Sequence, residues 1–390
     1  MAIRVNPKLI DELEHFGSED VQNCYHCGNC SAVCPHSDDI FVFPRKPMRF
    51  LQMGLEKKLE KSLTPWLCYY CGQCSIQCPR EAEPGETMMS MRRWLTSRYD
   101  FTGIARLFYM SWKAELAFVV IVALITGAGL FAYGFSKGDI HSYYGPSAFL
   151  PSSLIHSFDL ALMGILSALL VINVVRMWRF VMEDRNQPPV PWWLYLRNTY
   201  LLPMHFFSQK RYARCDPESR NRVYIPWITH LGLVLGYCVM LLLIVFFLDR
   251  LQAGPEIQWS VHVFGYLASA GLLIGTTYVL YGRLKKIQVQ HRRSHSTDWM
   301  FLWLLFYMVV TGIIQHILHR TGLLAAANIA YVAHLMGVFP WLLRMPFSKW
   351  AHLIYRPIAM YFAGNMRDAV ALQEAPDRPI RQMQPAACER

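Results

Sequence analysis

The sequence predicts an all-α chain in two parts: a small cysteine-rich domain, then a bundle of six transmembrane helices. Two observations predict it. Of eleven cysteines, eight fall between Cys24 and Cys78. From about Ala114 onward, long apolar runs alternate with basic loops. The chain of 390 residues is 54% hydrophobic, above the roughly 45–50% of soluble domains, and the excess is concentrated in the second part. The expected boundaries are a soluble domain over 1–100, a membrane domain over 101–365 and a polar tail over 366–390. A net charge of +11 can signal nucleic acid. Here the basic residues cluster between apolar runs, so membrane topology accounts for them and no nucleic-acid partner is expected. Met1 is followed by a polar, charged stretch rather than a secretory signal, which leaves the first domain in the cytosol. Crowded cysteines in that compartment point to metal rather than disulfides.

The cysteines form two runs, Cys24-Tyr-His-Cys27-Gly-Asn-Cys30-Ser-Ala-Val-Cys34-Pro35 and Cys68-Tyr-Tyr-Cys71-Gly-Gln-Cys74-Ser-Ile-Gln-Cys78-Pro79. Both have the C-x2-C-x2-C-x3-C-P spacing of bacterial [4Fe–4S] sites. Three thiolates on a tight loop cap three corners of a cubane, and the fourth reaches the other cluster. This assigns Cys24, Cys27, Cys30 and Cys78 to one cluster, and Cys68, Cys71, Cys74 and Cys34 to the second. The proline after each run turns the chain away. The glycines after Cys27 and Cys71 let the backbone pass close to the sulfides. Structural zinc takes four ligands, commonly as two separated pairs; two complete four-Cys runs with trailing prolines argue against it. His26 is read as a packing residue, and without C-x-x-C-H no c-type haem is expected. Between the runs, residues 47–63 read as one helix. Paired four-Cys runs spaced by a helix resemble the α-helical ferredoxin domain of the heterodisulfide reductase C subunit and of the succinate dehydrogenase iron–sulfur subunit, over roughly residues 1–100.

Six apolar stretches reach the roughly 20 residues a helical span requires, near 114–134, 153–178, 225–248, 260–282, 299–319 and 329–355. With the N-terminus inside, the inner loops carry thirteen basic residues and the outer loops three, Lys137, Arg250 and Arg320. That asymmetry obeys the positive-inside rule and implies a multi-pass protein of the cytoplasmic membrane. Trp192, Trp193 and Tyr195 place the long inner loop along the interface.

A histidine inside a span is costly and points to function. His334 and His352 are separated by five whole helical turns, about 27 Å, if the last stretch is one helix. One imidazole would then face a common neighbour near each membrane surface, as two stacked bis-histidine haems need. Buried histidines that only hydrogen-bond between helices are the plainer alternative; this spacing favours haem. His230, near the inner end of the third span, pairs with His352 for the inner haem b. His334 takes an outer partner: His156 is the first choice, with His262, His316 and Met240 open. Methionine is also an axial ligand.

The last four or five spans resemble the cytochrome b (gamma) subunit of respiratory nitrate reductase. His334, Pro346, Phe347, Ser348 and His352 match that family's paired haem histidines and the segment between them. His230 matches the first histidine of the earlier haem-bearing helix, while the second falls at Met240, a departure at the outer haem. The fusion as a whole resembles the C subunit of the quinone-interacting membrane-bound oxidoreductase of sulfate-reducing bacteria. That resemblance implies soluble flavin and iron–sulfur partner subunits, and an electron route between menaquinone and adenylylsulfate reductase.

The function expected is thus a quinone oxidoreductase subunit that works as a wire. The protein positions cofactors and tunes them through ligands, burial and hydrogen bonds. No Gly-x-Gly-x-x-Gly fingerprint follows a strand pattern, and no catalytic triad or paired carboxylates stand out. Lys137, Asp139 and His141 in the first outer loop are where a quinone site would be sought, though an ordinary solvated loop is the favoured reading of them. Rival readings keep the cofactors but place the chain in a sulfite-reduction-linked or heterodisulfide reductase complex, or make it a membrane anchor with structural metal. Metal and haem quantitation separates these: the purified chain should carry about eight cluster irons and about two haems, and a zinc-loaded, colourless chain would refute the wire.

Overall fold

The computed structural model describes residues 4–137, 152–183, 189–214, 220–251 and 257–374. The described residues form helices and turns with no strand. Six of these helices are long and apolar enough to cross a membrane: Trp112–Tyr133, Ser157–Met182, Tyr224–Leu248, Trp259–Lys285, Ser296–Arg320 and Leu324–Leu343. The chain is a multi-pass membrane protein with a helical domain at one end of the bundle.

Spans three and four pack closely because each carries glycines four residues apart. A Cβ on Gly271 would lie 3.1 Å from the Gly232 carbonyl oxygen, and one on Gly236 2.9 Å from that of Ala268. Small residues at such a crossing let the backbones approach where lipid supplies no hydrophobic drive. Span five packs on spans four and six, and span six on span one. Span two meets span six through Phe158 and Phe339, ring centroids 5.5 Å apart.

The expected last span over 329–355 is corrected. The helix stops at Leu343, the chain turns through residues 344–348, and a short 3-10 turn leads into a separate helix, His352–Glu374. Pro346 explains the break, since it offers no N–H and disfavours helix at Met345. Arg344 anchors the turn by a buried ion pair with Glu115 of span one. His334 and His352 therefore lie on different helices, not five turns apart on one. His334 is the eleventh residue of its helix, about 15 Å along it from Leu324.

The helix after the break belongs to the cysteine-rich domain. Tyr355, Ala359, Phe362, Ala363 and Met366 enter one core with Leu9, Leu13, Phe16, Trp66, Trp94 and Tyr99. The Tyr355 ring sits 5.3 Å from that of Trp66 and 5.4 Å from that of Tyr99. The loop of Trp192, Trp193 and Tyr195 forms short helices that rest on this C-terminal helix, with Tyr361 donating to the Tyr195 carbonyl at 2.6 Å. Residues 47–63, expected as one helix, are two, Arg45–Gln52 and Glu56–Glu60. Gly54 ends the first with φ +64, and Leu55 N–H and Gly54 N–H close back on the Phe50 and Leu51 carbonyls, a glycine stop of the Schellman type.

Domain and bundle are joined by buried charge. Arg93 of the helix Pro84–Tyr99 donates to Glu86 at 2.9 Å and to Asp298, at the start of span five, at 3.1 Å. Lys349, three residues before His352, meets the other Asp298 oxygen at 2.8 Å. Arg93→Ala would leave buried Glu86 without its cation while Asp298 keeps Lys349; it should cost about 3 kcal/mol and be read as a fall in thermal stability of the purified chain.

Candidate iron–sulfur and imidazole sites

The two cysteine runs repeat one backbone. His26 and Tyr70, the residues before the second cysteine of each run, have φ of 58 and 54. Gly28 and Gly72 follow with φ of 92 and 85, and each opens a short helix, Asn29–Ala32 or Gln73–Ile76. The chain therefore curls twice in the same way, and the two short helices touch. Asn29 ties them by donating to the Gln77 carbonyl at 2.6 Å.

The curls exchange their last cysteine. Burial, and then proximity to Cys24, Cys27 and Cys78, pushes the Cys30 thiol up to about 11. Burial, and then proximity to Cys68 and Cys71, pushes Cys34 up to about 12. Cys74 is raised well above its ordinary value by burial and then by Cys68, Cys71, Cys34 and, last, Cys30. The neighbours are thus Cys24, Cys27, Cys30 and Cys78 on one side, and Cys68, Cys71, Cys74 and Cys34 on the other. Thiols so grouped ionise only against bound cations. Among the described residues, no three His, Cys, Asp or Glu side chains converge as ligands of a single metal ion would. Backbone N–H groups point at sulfur: Tyr70 N–H at 3.3 Å from Cys68 Sγ and Ala82 N–H at 3.4 Å from Cys78 Sγ. Such bonds tune cluster potential.

His230 and His352, paired from sequence, are brought together by span three and by the helix after the break. Their ring centroids are 6.3 Å apart. Two imidazoles trans to one metal, with bonds of about 2.0 Å and ring centres about 1.1 Å beyond, have centroids about 6.2 Å apart. Both Nδ1 atoms are engaged: that of His230 with Gln209 Oε1 at 2.7 Å, and that of His352 with the Lys349 carbonyl. Such outer partners fix the tautomer and leave Nε2 as the ligating atom. Burial lowers the His352 imidazole to about 3, which keeps it in the neutral, ligating form. The residues present fit a bis-imidazole haem.

The outer candidates fare differently. His334 hydrogen-bonds through Nδ1 with Thr311 Oγ1 at 3.0 Å and lies over Gly312, where a Cβ would meet its ring at 3.2 Å. His262 and His316 face each other with centroids 6.0 Å apart. Their Nε2 atoms are taken, by Arg320 at 2.6 Å and by the Tyr266 hydroxyl at 3.1 Å. Met240 packs among Leu305, Met308 and Trp341. The side chains of His156, Lys137, Asp139 and His141 lie outside the described residues.

A cavity of about 290 Å³ links the two kinds of site. His230 and His352 line it, as do Tyr69 and Tyr70 of the second cysteine curl. Sequence reasoning missed Arg356, one turn after His352. It donates to the Cys68 carbonyl at 3.0 Å and lies 3.6 Å from the Tyr69 ring centroid. Arg92 donates to the same carbonyl. The i, i+4 spacing of a basic residue after a candidate ligand was the available signal; nothing in sequence marked Gln209.

Residues 20–82 match the family model described as a 4Fe-4S dicluster domain. Over 99 residues the chain is 31% identical to a protein of Archaeoglobus profundus described as like the C component of heterodisulfide reductase, covering 25% of this chain and 53% of that protein. The chain thus spans about half the length of that curated relative. No solved structure matches. The second curl also touches the loop between spans four and five, where a Cβ on Gly72 would meet the Val289 side chain at 2.9 Å. Gly72→Ala should cost about 1–2 kcal/mol for the left-handed backbone alone, seen as a lower unfolding temperature and faster bleaching of any cluster absorbance.

Proposed function

We propose that this chain is a membrane electron-transfer subunit: it holds two [4Fe–4S] clusters and two b haems, and passes electrons between menaquinone and soluble flavin and iron–sulfur partners. The observation that carries the reading is the cavity shared by the His230–His352 pair and the second cysteine curl. When bound, clusters and haems supply one-electron chemistry. The chain's own work is placement. Cys24, Cys27, Cys30 and Cys78 would hold one cluster, and Cys68, Cys71, Cys74 and Cys34 the other. His230 and His352 would hold the inner haem, and His334 the outer one with His156 as partner. Gln209 and the Lys349 carbonyl orient the inner imidazoles, and the aromatic wall of Tyr237, Trp341 and Trp350 keeps water from them. The basic inner loops support a cytoplasmic position for the cysteine domain in the inner membrane.

The fusion resembles its counterpart in the quinone-interacting oxidoreductase, which makes electron supply to adenylylsulfate reductase in sulfate reduction the first reading of its role. The archaeal relative favours a second, the equivalent subunit of a heterodisulfide reductase complex. The proteins that co-purify decide between them. For the cofactors, dithionite should raise a b-type α-band and a menaquinol analogue should reduce part of it; absence of both would make the chain a structural anchor. His352→Ala should remove one haem and leave cluster iron unchanged. Gln209→Ala should keep the haem but loosen it about 10–100-fold, measured by haem retention on dilution.

A further inference from the structure

The cavity has two unlike ends. Within the membrane it is walled by Leu233, Val234, Leu272, Leu305 and Trp341. Toward the cysteine domain its lining carries five basic side chains, Arg92, Arg93, Arg283, Lys349 and Arg356, against one acid, Asp298. That acid is already shared: Lys349 at 2.8 Å, Arg93 at 3.1 Å and Arg283 at 3.9 Å all approach it. Arg92 and Arg356 spend hydrogen bonds on the carbonyls of Pro65 and Cys68. The Nε–H groups of Arg283 and Arg356 are buried with no acceptor. Buried guanidinium donors without acceptors are costly, and the cationic surplus at this end, which remains after Glu86 takes Arg93 at 2.9 Å, calls for an anion. Guanidinium forks match carboxylates best.

An occupant with a flat apolar body and two carboxylates answers both ends. Resting on the haem reading above, we propose that the cationic end is a dicarboxylate site, in which Arg356 and Arg283 receive the two propionates of the haem held by His230 and His352. Arg356 is then a positioning residue with two tasks. Its guanidinium face stacks on Tyr69 and an edge N–H donates to the Cys68 carbonyl, while its Nε–H takes a propionate. Haem and cysteine curl are held by a single side chain, and its charge favours the reduced haem.

The test uses the full chain in detergent, made without haem in a haem-starved host, and titrated with haem b and with haem b dimethyl ester, whose carboxylates are capped. Wild type should bind haem b at least tenfold more tightly than the ester. Arg356→Gln should lose much of that preference while its affinity for the ester stays put. In haem-loaded protein, Arg356→Gln should lower the haem midpoint potential, and Arg356→Lys should restore it in part. A tenfold change in the reduced-to-oxidised ratio corresponds to about 59 mV for one electron. Equal affinity of wild type for haem b and ester overturns the inference, needs no variant to fold, and leaves the haem reading intact. If neither compound yields a b-type spectrum, the haem reading itself fails and takes the inference with it.

Discussion

Asp298 is the charge on which the junction of the two domains depends. It opens span five, yet it is buried against Arg93 of the cysteine domain, Arg283 at the end of span four and Lys349 before the C-terminal helix. A carboxylate at such depth is tolerable only when paired and hydrogen-bonded. Four segments distant in sequence must therefore meet at one point. The same contact sets where Lys349 stands, and with it the carbonyl that orients His352. Glu86 extends the network to Tyr70 of the second cysteine curl, at 2.5 Å. Charge, imidazole and cysteine sites are thus indexed to one another by a shared buried ion network rather than by a flexible linker.

The break after Leu343 has the second structural consequence. A continuous helix would carry His352 along the axis of span six. The turn at Pro346 instead begins a new helix, whose first residue is an imidazole and whose later residues fill the core of the cysteine domain. The helix that carries the candidate ligand is tied to the Cys68 loop by Arg356, which donates to the Cys68 carbonyl. The imidazole pair and the second cysteine curl come to line one cavity through packing rather than through a ligand motif. Span three delivers His230 to the same point through its glycine-mediated contact with span four.

The stability of the assembly has two sources of different kind. In the bundle, close backbone approach at glycine and paired polar groups replace the hydrophobic drive that lipid cancels. Below it, a conventional core around Trp66, Trp94, Tyr99 and Tyr355 buries large aromatic area. The C-terminal helix bridges the two environments: its first turn faces the bundle and its remainder enters the soluble core. A substitution there is felt in both places, which distinguishes it from changes confined to a single span.

Composition and spacing alone determined much of this protein. Hydrophobic runs of span length, basic asymmetry between loops and two four-Cys runs are local properties, each legible over a short window, and the all-helical plan and the matched dicluster region follow from them. His230 and His352 were matched by depth on the premise of one last span running to 355; the break removes that premise, yet the two rings still meet. What sequence could not settle was where helices end in three dimensions. Periodicity continues through Pro346 although the backbone does not, so pattern alone joins His334 and His352 in one helix and puts the final helix in the membrane. Gly54 divides another expected helix for the same reason: one residue with backbone freedom outweighs a favourable pattern. Asp298, Arg356 and Gln209 carry no motif. Their roles arise from burial beside partners tens to hundreds of residues away, and only the tertiary fold creates that burial.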